Sequence, residues 1–189
     1  MDSRENNQLH STSAQTDAME SAPPQRKSVW SMKDRIVRLL WGTLGRLVWA
    51  CCPCLRITCL RAFGGKVGTG CKIASSVEIT VPWHITMGDN CHIAEHVILY
   101  SLGSITLGNN VRIDTRAHLC AGSHDMRDTM FPLTRPPISI GDDSFIGIDA
   151  YIGPNVSLGK GTCVHPRASV YKSYGDDIEL QGNPARPMS

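Results

Sequence analysis

The chain has 189 residues, of which 41% are hydrophobic, 19% charged and only 6% aromatic, which suits one modest globular domain and leaves little room for a second. Nineteen basic against seventeen acidic residues give a formal charge of +2, far from the basic excess of a nucleic-acid binder, so nucleic acid is not an expected partner. Seventeen glycines and eleven prolines beside three Phe and four Tyr point to many tight turns around an aliphatic interior.

The near-neutral total hides an uneven distribution. Residues 1–25 hold Arg4 against Asp2, Glu5, Asp17 and Glu20 among Ser, Thr, Gln and Asn, and are too polar to bury a core, so 1–28 are expected to be a disordered tail. Residues 26–66 carry nine Lys/Arg against Asp34 alone, whereas 67–189 carry nine basic and twelve acidic residues. The first apolar stretch begins only near Trp30, so no secretory signal is read and a cytoplasmic protein is expected, either free or held peripherally at the inner membrane. The eight cysteines do not form the two C-x-x-C units of a zinc site, and free buried thiols are expected.

Residues 29–64 read as a helical arm. Ile36, Val37, Leu40, Leu44, Leu47 and Val48 recur at helical spacing among Lys33, Asp34, Arg35, Arg38 and Arg46, and Pro53 ends the pattern. A second helix is expected over 55–63. Arg46 interrupts the apolar stretch, which falls short of the ~20 residues needed to span a bilayer. Two readings stay open: a cap packed over the end of the core, or a helix lying on an anionic membrane with Trp30, Trp41 and Trp49 at the interface.

From Val67 onward the chain divides into sixes, each opening on an aliphatic residue. The units are VGTGCK, IASSVE and ITVPWH; MGDNCH, IAEHVI and LYSLGS; LGNNVR, IDTRAH and LCAGSH; then IGDDSF, IGIDAY, IGPNVS, LGKGTC, VHPRAS and VYKSYG over 140–175. Glycine often stands second, where we expect it to let the backbone bend, and a small residue such as Ser144, Ala150, Val156, Thr162 or Ala168 stands fifth. One such unit buries too little to be stable alone, so coils must stack, aliphatic over aliphatic. Two-residue slips before Met87 and Leu107 each follow three units, which gives three hexapeptides per coil and about five coils. The expected fold is mainly β, a parallel β-helix over residues 65–175 followed by a C-terminal tail over 176–189. Its one large interruption is the Pro-rich loop 125–139, whose length points to function.

The arm joined through RAFGGKVGTG (61–70), YSLGSITLGNNVRI (100–113), LCAGSHD (119–125) before FPLTRPPISIGDD (131–143), VYK (170–172) and GNPAR (182–186) resemble the left-handed β-helix hexapeptide-repeat acyltransferases. Within them the resemblance is strongest to the colanic-acid-biosynthesis-type O-acetyltransferases. It implies a left-handed coil, a homotrimer with sites between subunits, and transfer of an acetyl group from acetyl-CoA to a sugar hydroxyl in exopolysaccharide or other glycan biosynthesis, without a metal.

Such a transfer needs a base for the hydroxyl proton, and histidine, with an ordinary pKa of about 6.5, suits the task. By the resemblance that base is His124. The donor slot is implied at Gly147, Ile148, Asp149 and Ala150, continued near Pro166, with a backbone N–H for the thioester oxyanion. Lys172 and Arg186 match positions near the coenzyme A phosphates. Ser101, Asp125, Met126, Arg127, Phe131 and Arg135 are candidates to meet the acceptor, Asp125 also as a cap of the loop. The remaining histidines, His84, His92, His96, His118 and His165 among them, are expected on outward-facing turns or walls. Rival readings are a γ-class carbonic anhydrase-like zinc enzyme, a serine or small-sugar acetyltransferase, and a non-catalytic membrane-surface scaffold.

Overall fold

A computed structural model describes residues 30–188; the expected tail over 1–28, with His10, lies outside the described residues. Parallel strands of two or three residues stack into three sheets that form the sides of a solenoid. Val67, Met87, Leu107, Ile140 and Leu158 lie in register on the first sheet. Ile73, Ile93, Ile113, Ile146, Val164 and Leu180 do so on the second. Ile79, Leu99, Leu119, Ile152 and Val170 do so on the third. Up to Val170 every one of these opens a hexapeptide, and all are buried. The alternation is the ordinary consequence of strand geometry, in which neighbouring side chains take opposite faces.

The solenoid runs further than the repeat. Tyr174, in the last hexapeptide, bridges to Leu158, and Glu179–Gln181, expected in the tail, pairs in parallel with Cys163–Val164 and adds a sixth, partial coil. Arg186–Pro187 then folds back antiparallel on Leu180–Gln181 and ends the sheet.

The turns correct the role expected for glycine. The left-handed residues stand fourth in the unit: Gly70, Asn90, His96, Asn110, Arg116, Asp143, Asp149, Asn155, Gly161 and Arg167 all have φ between 55° and 68°. The second-position glycines answer to a different constraint, the close approach of successive coils. A Cβ on Gly108 would lie 2.7 Å from the amide nitrogen of Asp142, and one on Gly141 would lie 2.5 Å from the carbonyl carbon of Gly159. The fifth residue points inward beside them. At several of these positions it bonds a carbonyl of the next coil: Cys71 and Cys91 sulfurs lie 3.1 Å from the oxygens of Gly88 and Gly108, and the Thr162 hydroxyl donates to Gly175 at 3.2 Å. All eight cysteines are free thiols, and burial pushes Cys91 up to about 11.

The arm consists of α1 (Met32–Leu40), a wider π-helical turn (Trp41–Gly45), α2 (Arg46–Cys51), a short 3-10 turn (Pro53–Leu55) and α3 (Arg56–Ala62). Ser31 and Asp34 close a reciprocal capping box at 3.1 Å in each direction, and the Ser31 bonds hold the Asp34 carboxyl below its ordinary range. The open end of the solenoid is sealed by Trp41, Trp49, Cys59 and Leu60. Indole N–H groups of Trp41 and Trp49 donate to the carbonyls of Ile79 (2.9 Å) and Ser75 (3.1 Å), and Arg56 and Arg61 bond carbonyls of Ile73 and Val67.

The cap reading therefore describes Trp41 and Trp49, which are buried in protein rather than set at an interface. The aliphatic residues behave oppositely: Ile36, Leu40, Leu44 and Leu47, expected on the apolar face of the helix, are exposed, as are Leu39 and Leu55. The tryptophans take the inner face because an indole fills the wide mouth and satisfies its N–H there. No helix among the described residues is long and apolar enough to cross a membrane.

Candidate active site

The loop leaves the third sheet after His118–Cys120 and begins as an antiparallel hairpin of Ser123–His124 with Leu133–Thr134. It rejoins the first sheet at Ile138–Ile140, so the step from Leu107 to Ile140 takes thirty-three residues where Met87 to Leu107 takes twenty. His124 sits at the root of this hairpin, exposed, with Nδ1 2.8 Å from the carbonyl oxygen of Phe131. A carbonyl can only accept, so Nδ1 carries the proton and Nε2 is left with its lone pair in the neutral ring. The loop thereby orients the imidazole and sets the tautomer that a base requires.

Phe131 reaches that position with φ 45°, and its N–H bonds the Asp128 carbonyl. Asp125 accepts from the N–H of Arg127 at 2.9 Å, the capping role, and its own N–H bonds Pro132. Met126, Arg127 and Phe131 are exposed around His124 on the loop. Arg135 lies with its guanidinium 4.0 Å from the centre of the Trp30 ring, and Arg38 lies over the same ring at 4.4 Å. This tie between loop and arm was not foreseen; the Trp and Arg residues were legible, but not that they meet.

Ser101 corrects an expectation. It is fully buried, its hydroxyl donates to the Val81 carbonyl and accepts from the Val81 N–H, both at 2.9 Å, and no part of it faces an acceptor. A hydroxyl fits between two coils here and satisfies an otherwise unpaired peptide. The Ser101 carbonyl accepts from Nδ1 of His84 at 2.9 Å.

The donor residues divide in two. The N–H of Gly147 donates to Val164 and its carbonyl accepts from Ala150, while the carbonyl of Ala150 accepts from His118 and its side chain is buried. Gly147 and Ala150 therefore shape the corner and cannot touch a donor, which corrects their expected role. Asp149 is likewise committed, through its N–H to Thr115 and its carboxylate to Arg116 at 2.7 Å, a pair that holds the carboxyl below its ordinary range. Ile148 remains: it is 37% exposed, and among the described residues its N–H has no main-chain acceptor. Pro166 stacks on it one coil on, exposed, and Lys172 and Arg186 are also exposed.

These groups do not meet within one chain. His124 follows the third sheet in its coil, as Lys172 does two coils later, whereas Ile148, Pro166 and the Gly182 corner near Arg186 precede that sheet. His124 and the Ile148–Pro166 corner thus lie at opposite edges of one sheet.

His118 stands on the outward wall of the third sheet, as expected, but under cover. It is half-buried between the rings of Tyr100 and Tyr151, at 6.4 and 5.5 Å, and its Nε2 is closed off with no hydrogen-bond partner among the described residues. Burial lowers its pKa from 6.5. An unfolded His118 takes up its proton near pH 6.5 and the folded one does so only lower, so its contribution is complete above about 6.5 and is lost as pH falls toward the lowered value. The urea midpoint is expected to drop more between about pH 7.5 and 5.5 in the wild type than in His118→Phe; equal drops would contradict this.

Among the described residues no group of three His, Cys, Asp or Glu side chains could hold a metal ion. Residues 137–172 match the family model "Bacterial transferase hexapeptide (six repeats)". Over 150 residues, covering 77% of this chain and 82% of the relative, the sequence is 38% identical to an Escherichia coli K12 protein named for colanic acid biosynthesis, the acetyltransferase WcaF. The fold is similar to that of a hexapeptide-repeat acetyltransferase from Vibrio cholerae, with TM-score 0.78 and 24% identity over 84% of this chain and 93% of that one. It is also similar to a maltose O-acetyltransferase from Clostridium difficile, with TM-score 0.71 and 20% identity over 84% and 88%. Register, corner geometry and sequence identity agree, and the chain belongs to the hexapeptide-repeat acetyltransferases.

Proposed function

We propose that this acyltransferase moves the acetyl group of acetyl-CoA to a sugar hydroxyl during assembly of an exopolysaccharide or other glycan, with His124 as general base. The observation that carries the reading is the 2.8 Å bond from His124 Nδ1 to the Phe131 carbonyl, which leaves Nε2 as acceptor at an exposed loop root. The acceptor hydroxyl passes its proton to Nε2 as its oxygen attacks the thioester carbonyl. The tetrahedral oxyanion is held by a backbone N–H, for which Ile148 is the candidate. Collapse expels coenzyme A as thiolate, which takes the proton back from Nε2. The names of relatives support the substrates: a colanic acid biosynthesis acetyltransferase and a maltose O-acetyltransferase on the acceptor side, and a Vibrio cholerae relative complexed with acetyl coenzyme A on the donor side.

Because His124 and Ile148 occupy opposite edges of one sheet, this reaction needs His124 of one copy against Ile148 of another. A homotrimer satisfies that, and Lys172 and Arg186, likewise on opposite edges, would then close on the donor phosphates from two copies. The exposed apolar residues of the arm support a peripheral membrane contact through 29–64.

A panel of nucleotide sugars, lipid-linked oligosaccharides and simple sugars, assayed for release of coenzyme A, tests the reading. Release with at least one hydroxyl acceptor is expected; none with any would sink it.

A further inference from the structure

A groove of about 790 Å³ runs between the arm and the first coil. Arg35, Arg38 and Arg46 line one side, the rings of Trp41 and Trp49 form apolar wall, and the turn Ser75–Thr80 with His96 forms the other side. Glu78 is the single carboxylate in that lining, against three guanidinium groups. Arg35 and Arg46 have no ion pair or hydrogen bond from their side chains among the described residues, and Arg38 is fixed by its stack on Trp30. Leu39 belongs both to the groove lining and to the exposed apolar surface that continues through Ile36, Leu40, Leu44 and Leu47.

We propose that this groove takes the phosphate headgroup of an anionic membrane phospholipid, with the acyl chains lying against the exposed leucines. This rests on the membrane contact proposed above and adds a defined site to it. Guanidinium groups bind phosphate oxygens through paired, directional N–H donors, and three of them around one groove give the net positive lining that an anion requires. A free phosphate or sugar phosphate would use the arginines and leave the leucines in water; an uncharged lipid would use the leucines and leave the arginines unpaired. Only a ligand with both parts matches both surfaces.

The test is co-sedimentation of the full chain with vesicles of phosphatidylcholine alone or with about 30% phosphatidylglycerol. The wild type is expected to bind the phosphatidylglycerol vesicles and to bind the neutral ones far less. Arg35→Gln with Arg46→Gln is expected to weaken that binding at least tenfold, since each cation near an anionic surface contributes about fivefold. Arg35→Lys with Arg46→Lys should restore part of it. Arg112→Gln with Lys160→Gln removes the same charge from later coils of the solenoid, away from the arm, and is expected to cost under threefold. Equal losses from the two glutamine pairs would overturn the groove while leaving the membrane contact standing. Absence of wild-type binding to either vesicle would remove both. A change in sedimentation coefficient of the Arg35→Gln, Arg46→Gln protein would make the groove an interface between copies. Release of coenzyme A with a soluble acceptor should be unchanged in all these variants, so the outcome is independent of the His124 chemistry.

Discussion

Replacing His124 with alanine is expected to lower kcat roughly 10²- to 10⁴-fold, the ordinary contribution of a positioned general base, with the melting temperature almost unchanged. The second half of that expectation follows from position. The side chain is exposed and, among the described residues, hydrogen-bonds only the Phe131 carbonyl on its own loop, so its loss opens no cavity in the stacked core. His124→Asn should be nearly as inactive, because an amide can keep a bond to Phe131 but cannot take the acceptor's proton. Turnover within twofold of wild type in either variant would remove His124 from the chemistry. Steady-state rates together with thermal melts separate the two effects.

The largest effect on stability is expected from the interior column. Leu119 has no exposed surface and lies in register between Leu99 and Ile152, so Leu119→Ala leaves a gap that neighbouring coils, pinned by their ladder bonds, cannot close. The expected cost is about 2–5 kcal/mol, which for a chain of this size lowers the melting temperature by roughly 4–20 °C. Leu44→Ala removes the same atoms from the exposed face of the arm and should stay within about 0.5 kcal/mol. Similar losses from both would mean that the arm's leucines are buried in the assembled protein.

The solenoid was legible because its period is local: every residue that opens a hexapeptide had to be aliphatic, and each of them stacks on its counterpart. What the period could not reveal is where one coil touches the next. Glycine at the second position is required by an atom of the next coil, sixteen to thirty-four residues away, and the left-handed turns fall at the fourth, where Asn, Asp, His and Arg serve as well as Gly. The sixth coil leaves no hexapeptide signature because Glu179–Gln181 keeps the register after the pattern has lapsed. In the arm, helical spacing grouped the leucines correctly, yet the face that packs was chosen by two tryptophans with carbonyls to reach. At the site, His124 was legible from its motif, whereas the Phe131 carbonyl was not, since main-chain acceptors leave no trace in residue identity. Ser101, Gly147 and Ala150 matched positions in a motif but are spent on bonds between coils.

Transfer itself is the most direct test of the account. The full chain, incubated with acetyl-CoA labelled in the acetyl group and with the acceptor that releases most coenzyme A, is expected to place the label on a sugar oxygen, as an ester seen by mass spectrometry. His124→Ala under the same conditions should yield at least a hundredfold less. Label on no hydroxyl, or an equal yield from the two proteins, would contradict it.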